Sequence, residues 1–127
     1  MIEIPVSPGD LLDRITILEI KHAYITQTEK KHHIETELEL LRRAAEKHIA
    51  KSPVLASLTR ELKAVNEMLW QIEDAIRCCE RNADFGDEFI GLARAVYRQN
   101  DRRSEVKRHI NTLLDAEIVE EKSYESY

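Results

Sequence analysis

The chain has 127 residues, a formal net charge of -5, 43% apolar and 34% charged residues, and only 3 Gly and 3 Pro. That length suits one domain, residues 1–127, with a core of its own, and the composition points to an all-α protein and away from a sheet. The modest charge of mixed sign speaks against nucleic acid or an anionic membrane surface as a partner, and no apolar run reaches the length of a membrane span. The only cysteines, Cys78 and Cys79, are adjacent on a predicted helix and point apart, so neither a disulfide between them nor a metal-ligand spacing is expected. No basic, apolar leader opens the chain, and a cytoplasmic location is the expectation.

Residues 1–6 alternate Ile2, Ile4 and Val6 with polar residues and a proline, the pattern of a short extended arm. Ser7-Pro8-Gly9-Asp10 then opens a helix: Ser7 as cap, Pro8 at the first helical position, Asp10 where a carboxylate meets free amides. To about Thr26 this helix carries two apolar stripes. Leu11, Ile15, Leu18, His22 and Ile25 form one, and Ile17, Ile20 and Tyr24, below Asp13, form the other. Two stripes imply a helix packed between neighbours or shared with a second subunit.

A second helix from Thr28 shows Ile34, Leu38, Leu41, Ala45 and His48 on its seam and a charged outer face, including the favourable i,i+4 pair Glu39 and Arg43. Ser52-Pro53 is another cap-plus-proline start. From there Leu55, Leu58, Leu62, Val65, Leu69, Ile72, Ile76 and Cys79 repeat at three and four residues without a break. This predicts a helix to about Asn82, roughly 45 Å long at 1.5 Å per residue. The segment Asp84-Phe85-Gly86-Asp87 starts the last helix, whose face holds Phe85, Phe89, Leu92, Val96, Val106, Ile110 and Leu114. Residues 116–127 form a tail, and Ile118 to Tyr124 suits pairing with the N-terminal arm.

On that last helix the apolar pattern fails at Asn100 and Arg103. A guanidinium on a buried face needs a carboxylate and hydrogen bonds. The long helix offers a polar stripe, Asn66, Trp70, Glu73 and Arg77, beside its seam, and Glu73 is the preferred partner for Arg103. The first helix adds Asp13, Arg14, Glu19 and Lys21. Asp13, Glu19, Asn66, Trp70, Glu73, Asn100 and Arg103 thus define the candidate site. They read either as a buried polar network that fixes helix register or as a pocket for an anionic ligand walled by Trp70.

Other chemistry has little support in the residues. The cluster of Arg94, Arg98, Asp101, Glu105 and Arg108 reads as a solvated face, with Tyr97 as the one interleaved aromatic. The five histidines show no His-Glu-x-x-His spacing, and His22 and His48 fall on seams as core or rim residues. Glu35, Glu37, Glu39, Glu73 and Asp74 do not share the faces a magnesium site requires. There is no Gly-rich phosphate loop and no nucleophile with a base, so no catalytic residue, metal or cofactor is assigned.

Several phrases are specific in wording: Pro5-Val6-Ser7-Pro8-Gly9-Asp10-Leu11-Leu12-Asp13-Arg14-Ile15-Thr16-Ile17-Leu18-Glu19-Ile20-Lys21, Asn66-Glu67-Met68-Leu69-Trp70-Gln71-Ile72-Glu73-Asp74-Ala75-Ile76-Arg77, Phe89-Ile90-Gly91-Leu92-Ala93-Arg94-Ala95-Val96-Tyr97, Asn100-Asp101-Arg102-Arg103 and Glu121-Lys122-Ser123-Tyr124. Together they resemble a family of small uncharacterised helical proteins from bacteria and their phages, a domain of unknown function. The resemblance spans nearly the whole chain and implies no activity.

The expected fold is all-α, with four helices: the last two form a long antiparallel, coiled-coil-like hairpin and the first packs into its groove. The expected function is a non-enzymatic interaction or scaffold module, a homodimer with a possible protein partner. The alternative is a small-molecule-binding protein or enzyme for a phosphate-bearing or sugar-nucleotide ligand held by the Arg, Asn and Glu polar layer.

Overall fold

A computed structural model describes residues 1–116, 121 and 123–127. It contains α1 (Pro8–Tyr24), α2 (Thr28–His48), α3 (Pro53–Arg81) and α4 (Asp87–Leu113), with no strand among the described residues. The proposed pairing of the tail with the N-terminal arm involves Ile118 to Val119, which lie outside the described residues.

Two of the helix starts follow the sequence signals. Ser7 Oγ accepts from the Asp10 amide at 3.1 Å and Ser52 Oγ from the Leu55 amide at 3.1 Å, each with a proline in the first turn. Such caps satisfy amides that a helix cannot pair internally, and each contributes about 1 kcal/mol. At α4 the arrangement differs from a side-chain cap: Gly86 is the N-cap, and Asp84 Oδ1 accepts from the Gly86 amide at 3.2 Å.

α3 and α4 run as one long antiparallel hairpin, and α1 packs against both of them and against α2, whereas among the four helices α2 packs on α1 alone. The two apolar stripes of α1 are explained by this position: Leu11, Ile15 and Leu18 join Ile34 and Leu38 of α2 together with Leu62, Val106 and Ile110 in the core. Ile20, on the other stripe, is equally buried. Neighbours within the chain cover the first stripe and Ile20, while Ile17 is half-buried and Tyr24 is exposed. Fully burying each of Leu62, Val106 and Ile110 contributes roughly 1.5–3 kcal/mol.

The N-terminus of α1 approaches α4 closely. The Gly9 amide donates to Asn111 Oδ1 at 2.8 Å, and a Cβ on Gly9 would lie 2.7 Å from the Lys107 carbonyl oxygen. Only glycine fits there. Lys107, itself buried, crosses the same junction to Asp10, with Nζ 3.3 Å from Oδ1.

α1 ends at Tyr24, whose ring stacks on Trp70 at 5.3 Å. Beyond that level the hairpin continues alone. Ile72 and Cys79 remain buried, but outside the main core cluster, and the stretch Ile72–Arg81 projects roughly 15 Å further at 1.5 Å per residue.

Candidate functional site

The polar residues that interrupt the apolar faces meet where α1 crosses the hairpin. Asp13, 2% exposed, is held from both sides. Arg103 of α4 donates through Nε to Asp13 Oδ1 at 2.9 Å and through Nη2 to Oδ2, a two-pronged charge-assisted contact. Asn66 of α3 donates through Nδ2 to Asp13 Oδ1 at 2.9 Å and to Thr16 Oγ1 at 2.9 Å, while Thr16 Oγ1 donates to the Asp13 carbonyl at 2.8 Å. One carboxylate thus ties three helices together. Among the described residues no fully buried side-chain polar atom lacks a partner. That satisfaction is what makes an ion pair tolerable at this depth.

Beside this pair, where α1 diverges from α4, an open groove of about 490 Å³ lies between α1, α3 and α4. Ile17, Ile20, Leu69 and Trp70 supply its apolar walls, and Asn66, Glu73, Asp74, Arg77, Asn100 and Arg103 its polar ones. Asn66, Trp70, Glu73, Asn100 and Arg103 of the candidate set therefore converge on one surface, with Asp13 behind Arg103. Glu19 stands apart. Its carboxylate bridges Arg42 of α2 at 2.9 Å and Lys63 of α3 at 3.5 Å, a partly exposed clasp over the back of α1.

The partner expected for Arg103 needs correction. Arg103 pairs with the Asp13 carboxylate, whereas Glu73 faces Arg77 on its own helix at 3.6 Å. Helix periodicity places Glu73 and Arg103 on the facing surfaces of the hairpin, but α1 inserts a carboxylate nearer to the guanidinium. Thr16 was not among the expected site residues; its signal was the i,i+3 spacing from Asp13 on the same face of α1. Asp74, outside the expected set, also lines the groove.

Further concavities adjoin α4 and α2, among them one of about 660 Å³ between α1 and α2 lined by Glu19, His22, Glu35 and Arg42. Another, of about 980 Å³, lies between α4 and the chain end, with Asp10, Asn100, Arg103, Lys107, Tyr124 and Tyr127 on its walls. There Tyr127 packs edge-on against Tyr97 at 5.0 Å, and a hydrogen bond to Asp101 raises the Tyr127 hydroxyl above its ordinary pKa. A third, of about 1200 Å³, separates the N-terminal arm from α2. Elsewhere, a hydrogen bond from His22 lowers the Glu35 carboxyl, and burial pushes the Cys79 thiol up. A hydrogen bond to Glu67 raises the Tyr24 hydroxyl. These shifted groups sit on different elements and do not converge. His22 is thus a rim residue, with Nε2 2.9 Å from Glu35 Oε1, and His48 is exposed. Among the described residues no group of three His, Cys, Asp or Glu side chains is placed to hold a metal.

Fold and site together define an all-α protein built on a long helical hairpin whose α1 is pinned by a buried carboxylate. Residues 2–127 match the family of unknown function DUF6165, and the chain belongs to that family. No curated protein and no solved structure matches it. No helix is long and apolar enough to cross a membrane among the described residues.

Proposed function

We propose that this protein is a non-enzymatic helical interaction module that pairs with a second copy of itself through the free end of the α3–α4 hairpin. The observation that carries this reading is the apolar surface left where α1 stops. Phe85 and Ile90 are each 52% exposed, Phe89 packs edge-on against Phe85 at 5.3 Å, and Ile76 and Leu92 are half-buried. A two-helix hairpin covers its own seam incompletely, and a contiguous apolar end of this kind is characteristic of association surfaces.

Charge favours a second copy as the occupant. The end of the hairpin holds Asp84, Asp87 and Glu88, and the next turns of α4 hold Arg94 and Arg98, all exposed. Two hairpins crossing antiparallel about a two-fold axis bring the acidic end of each against the arginines of the other, the isologous geometry of most dimers.

Light scattering on size-separated protein tests this directly. The wild type is expected at twice the 14.8 kDa chain mass at micromolar concentration. Arg94→Glu/Arg98→Glu and Asp87→Lys/Glu88→Lys are each expected to run as monomers, and their mixture as a dimer, because like charges repel in each homodimer and attract in the mixed pair. A monomeric wild type, or a dimer indifferent to both double variants, would overturn the reading.

A further inference from the structure

The outward face of α4, which reads in the sequence as solvated, is partly covered by the end of the chain. Tyr97, Asp101, Ser104 and Arg108 follow one another at four, three and four residues and so share that face. At one end of it Arg108 Nη2 donates to Glu121 Oε2 at 3.2 Å. At the other, the Tyr127 ring packs edge-on against Tyr97 at 5.0 Å, the Tyr127 hydroxyl donates to Asp101, and the Arg98 charge acts on the same hydroxyl. The lengths agree. Tyr97 to Arg108 rises roughly 16 Å at 1.5 Å per residue, and Glu121 to Tyr127 can reach roughly 20 Å at 3.3 Å per residue. The chain end therefore returns along α4 as a strap with a contact at each end.

Between those two contacts the strap stands off the helix. The cavity of about 980 Å³ lies beneath it, with Val96, Asn100 and Ser104 on the α4 side and Tyr124, Glu125 and Ser126 on the strap side. Tyr124 and Tyr127 are 80% and 77% exposed, so the strap bridges this face without filling it. With an exposed ion pair at one end and an exposed ring at the other, it is displaced at small cost. We infer that the α4 face from Tyr97 to Arg108 is a docking site for an extended acidic peptide bearing a tyrosine, and that the chain's own end occupies it at rest through Glu121 and Tyr127. Tyr97 and Asp101 receive the tyrosine, and Arg108 receives a carboxylate six residues before it. The cavity beneath the strap leaves room for side chains larger than its own. This inference does not depend on the hairpin end being a dimer contact.

A synthetic peptide with the sequence of residues 121–127, labelled with fluorescein at its N-terminus, tests this by anisotropy against the full chain. A tethered strap competes at an effective concentration on the order of millimolar. Glu121→Lys/Tyr127→Ala, which weakens the strap at both ends, is therefore expected to bind the peptide about tenfold more tightly than the wild type does. Adding Arg108→Glu to that variant is expected to remove the gain, and a control peptide carrying the same Glu121→Lys and Tyr127→Ala changes is expected not to bind. Glu121, Tyr127 and Arg108 are all exposed, so the variants keep the fold, which an unchanged circular dichroism spectrum verifies. Equal affinity for wild type and double variant, affinity indifferent to Arg108→Glu, equal binding of the control peptide, or no binding to any form would overturn the inference.

Discussion

The two ends of the α3–α4 hairpin carry the same heptad-like seam and meet different fates. At the base, α1 fills the groove and the seam residue Leu62 has no exposed surface, whereas toward the tip Ile76 and Leu92 stay half-exposed and Phe85 half-uncovered. The difference is one helix. The seam is covered most fully where a third helix lies on it, and the surface proposed for association begins where α1 stops.

The largest expected effect lies at the base. Arg103→Met leaves the Asp13 carboxylate buried without its cation and is expected to cost about 3–5 kcal/mol, read from the urea midpoint. Adding Asp13→Leu to it is expected to recover much of that loss, because the uncompensated charge is then gone. Equal damage from the single and double variants would show that the pair holds α1 by more than charge balance.

Apolar truncations give a direct ratio between the two ends. Leu62→Ala is expected to destabilise by about 2–5 kcal/mol, and Ile76→Ala by roughly 1 kcal/mol in dilute protein, since the tip residue leaves a smaller cavity and more of it already meets water. Comparable losses at the two positions would erase the distinction. A backbone change sharpens it from the other side. Ala83 follows α3 with φ of 50°, a left-handed conformation that costs a residue with a Cβ roughly 1–2 kcal/mol. Ala83→Gly is expected to raise the denaturation midpoint by a fraction of that, tightening the turn without touching the core.

The smallest effect is one of pH, at the exposed α1–α2 clasp. The His22 hydrogen bond holds Glu35 below its ordinary carboxyl range, so the folded form binds the proton less readily than the unfolded one. The contribution is present above the ordinary value near 4.5 and is lost as pH falls through the depressed folded value. Glu35→Gln is therefore expected to flatten the acid side of the stability profile slightly, measured by melting temperature between neutral pH and the carboxylate range. Because Glu35 is exposed and His22 partly so, solvent screening keeps the effect small.

Much of the fold was legible because it rests on local chemistry. The serines before Pro8 and Pro53 announced their helices, and the three-four repeat announced α3. The candidate site was legible in part. Asn66, Trp70, Glu73, Asn100 and Arg103 stood out as polar breaks in apolar stripes, and they share one groove. Periodicity assigns a residue to a face of its own helix, however, and leaves open which neighbour stands at that height. That is why Glu73 was paired with Arg103 in place of Asp13, and why Glu19, on the same helix as Asp13, turned out to serve the opposite side of α1. Asn111 gave no signal at all, since its role depends on Gly9 arriving from 102 residues away.

Hydrogen exchange as a function of protein concentration tests the division between base and tip most directly. Amides of Ile76–Cys79 and Leu92–Val96 are expected to exchange more slowly as concentration rises through the association range, while those around Leu62 and Ile110 stay equally protected at every concentration. Tip amides whose protection is independent of concentration, or base amides that change with them, would contradict the claim that the uncovered end of the hairpin is where this protein meets its partner.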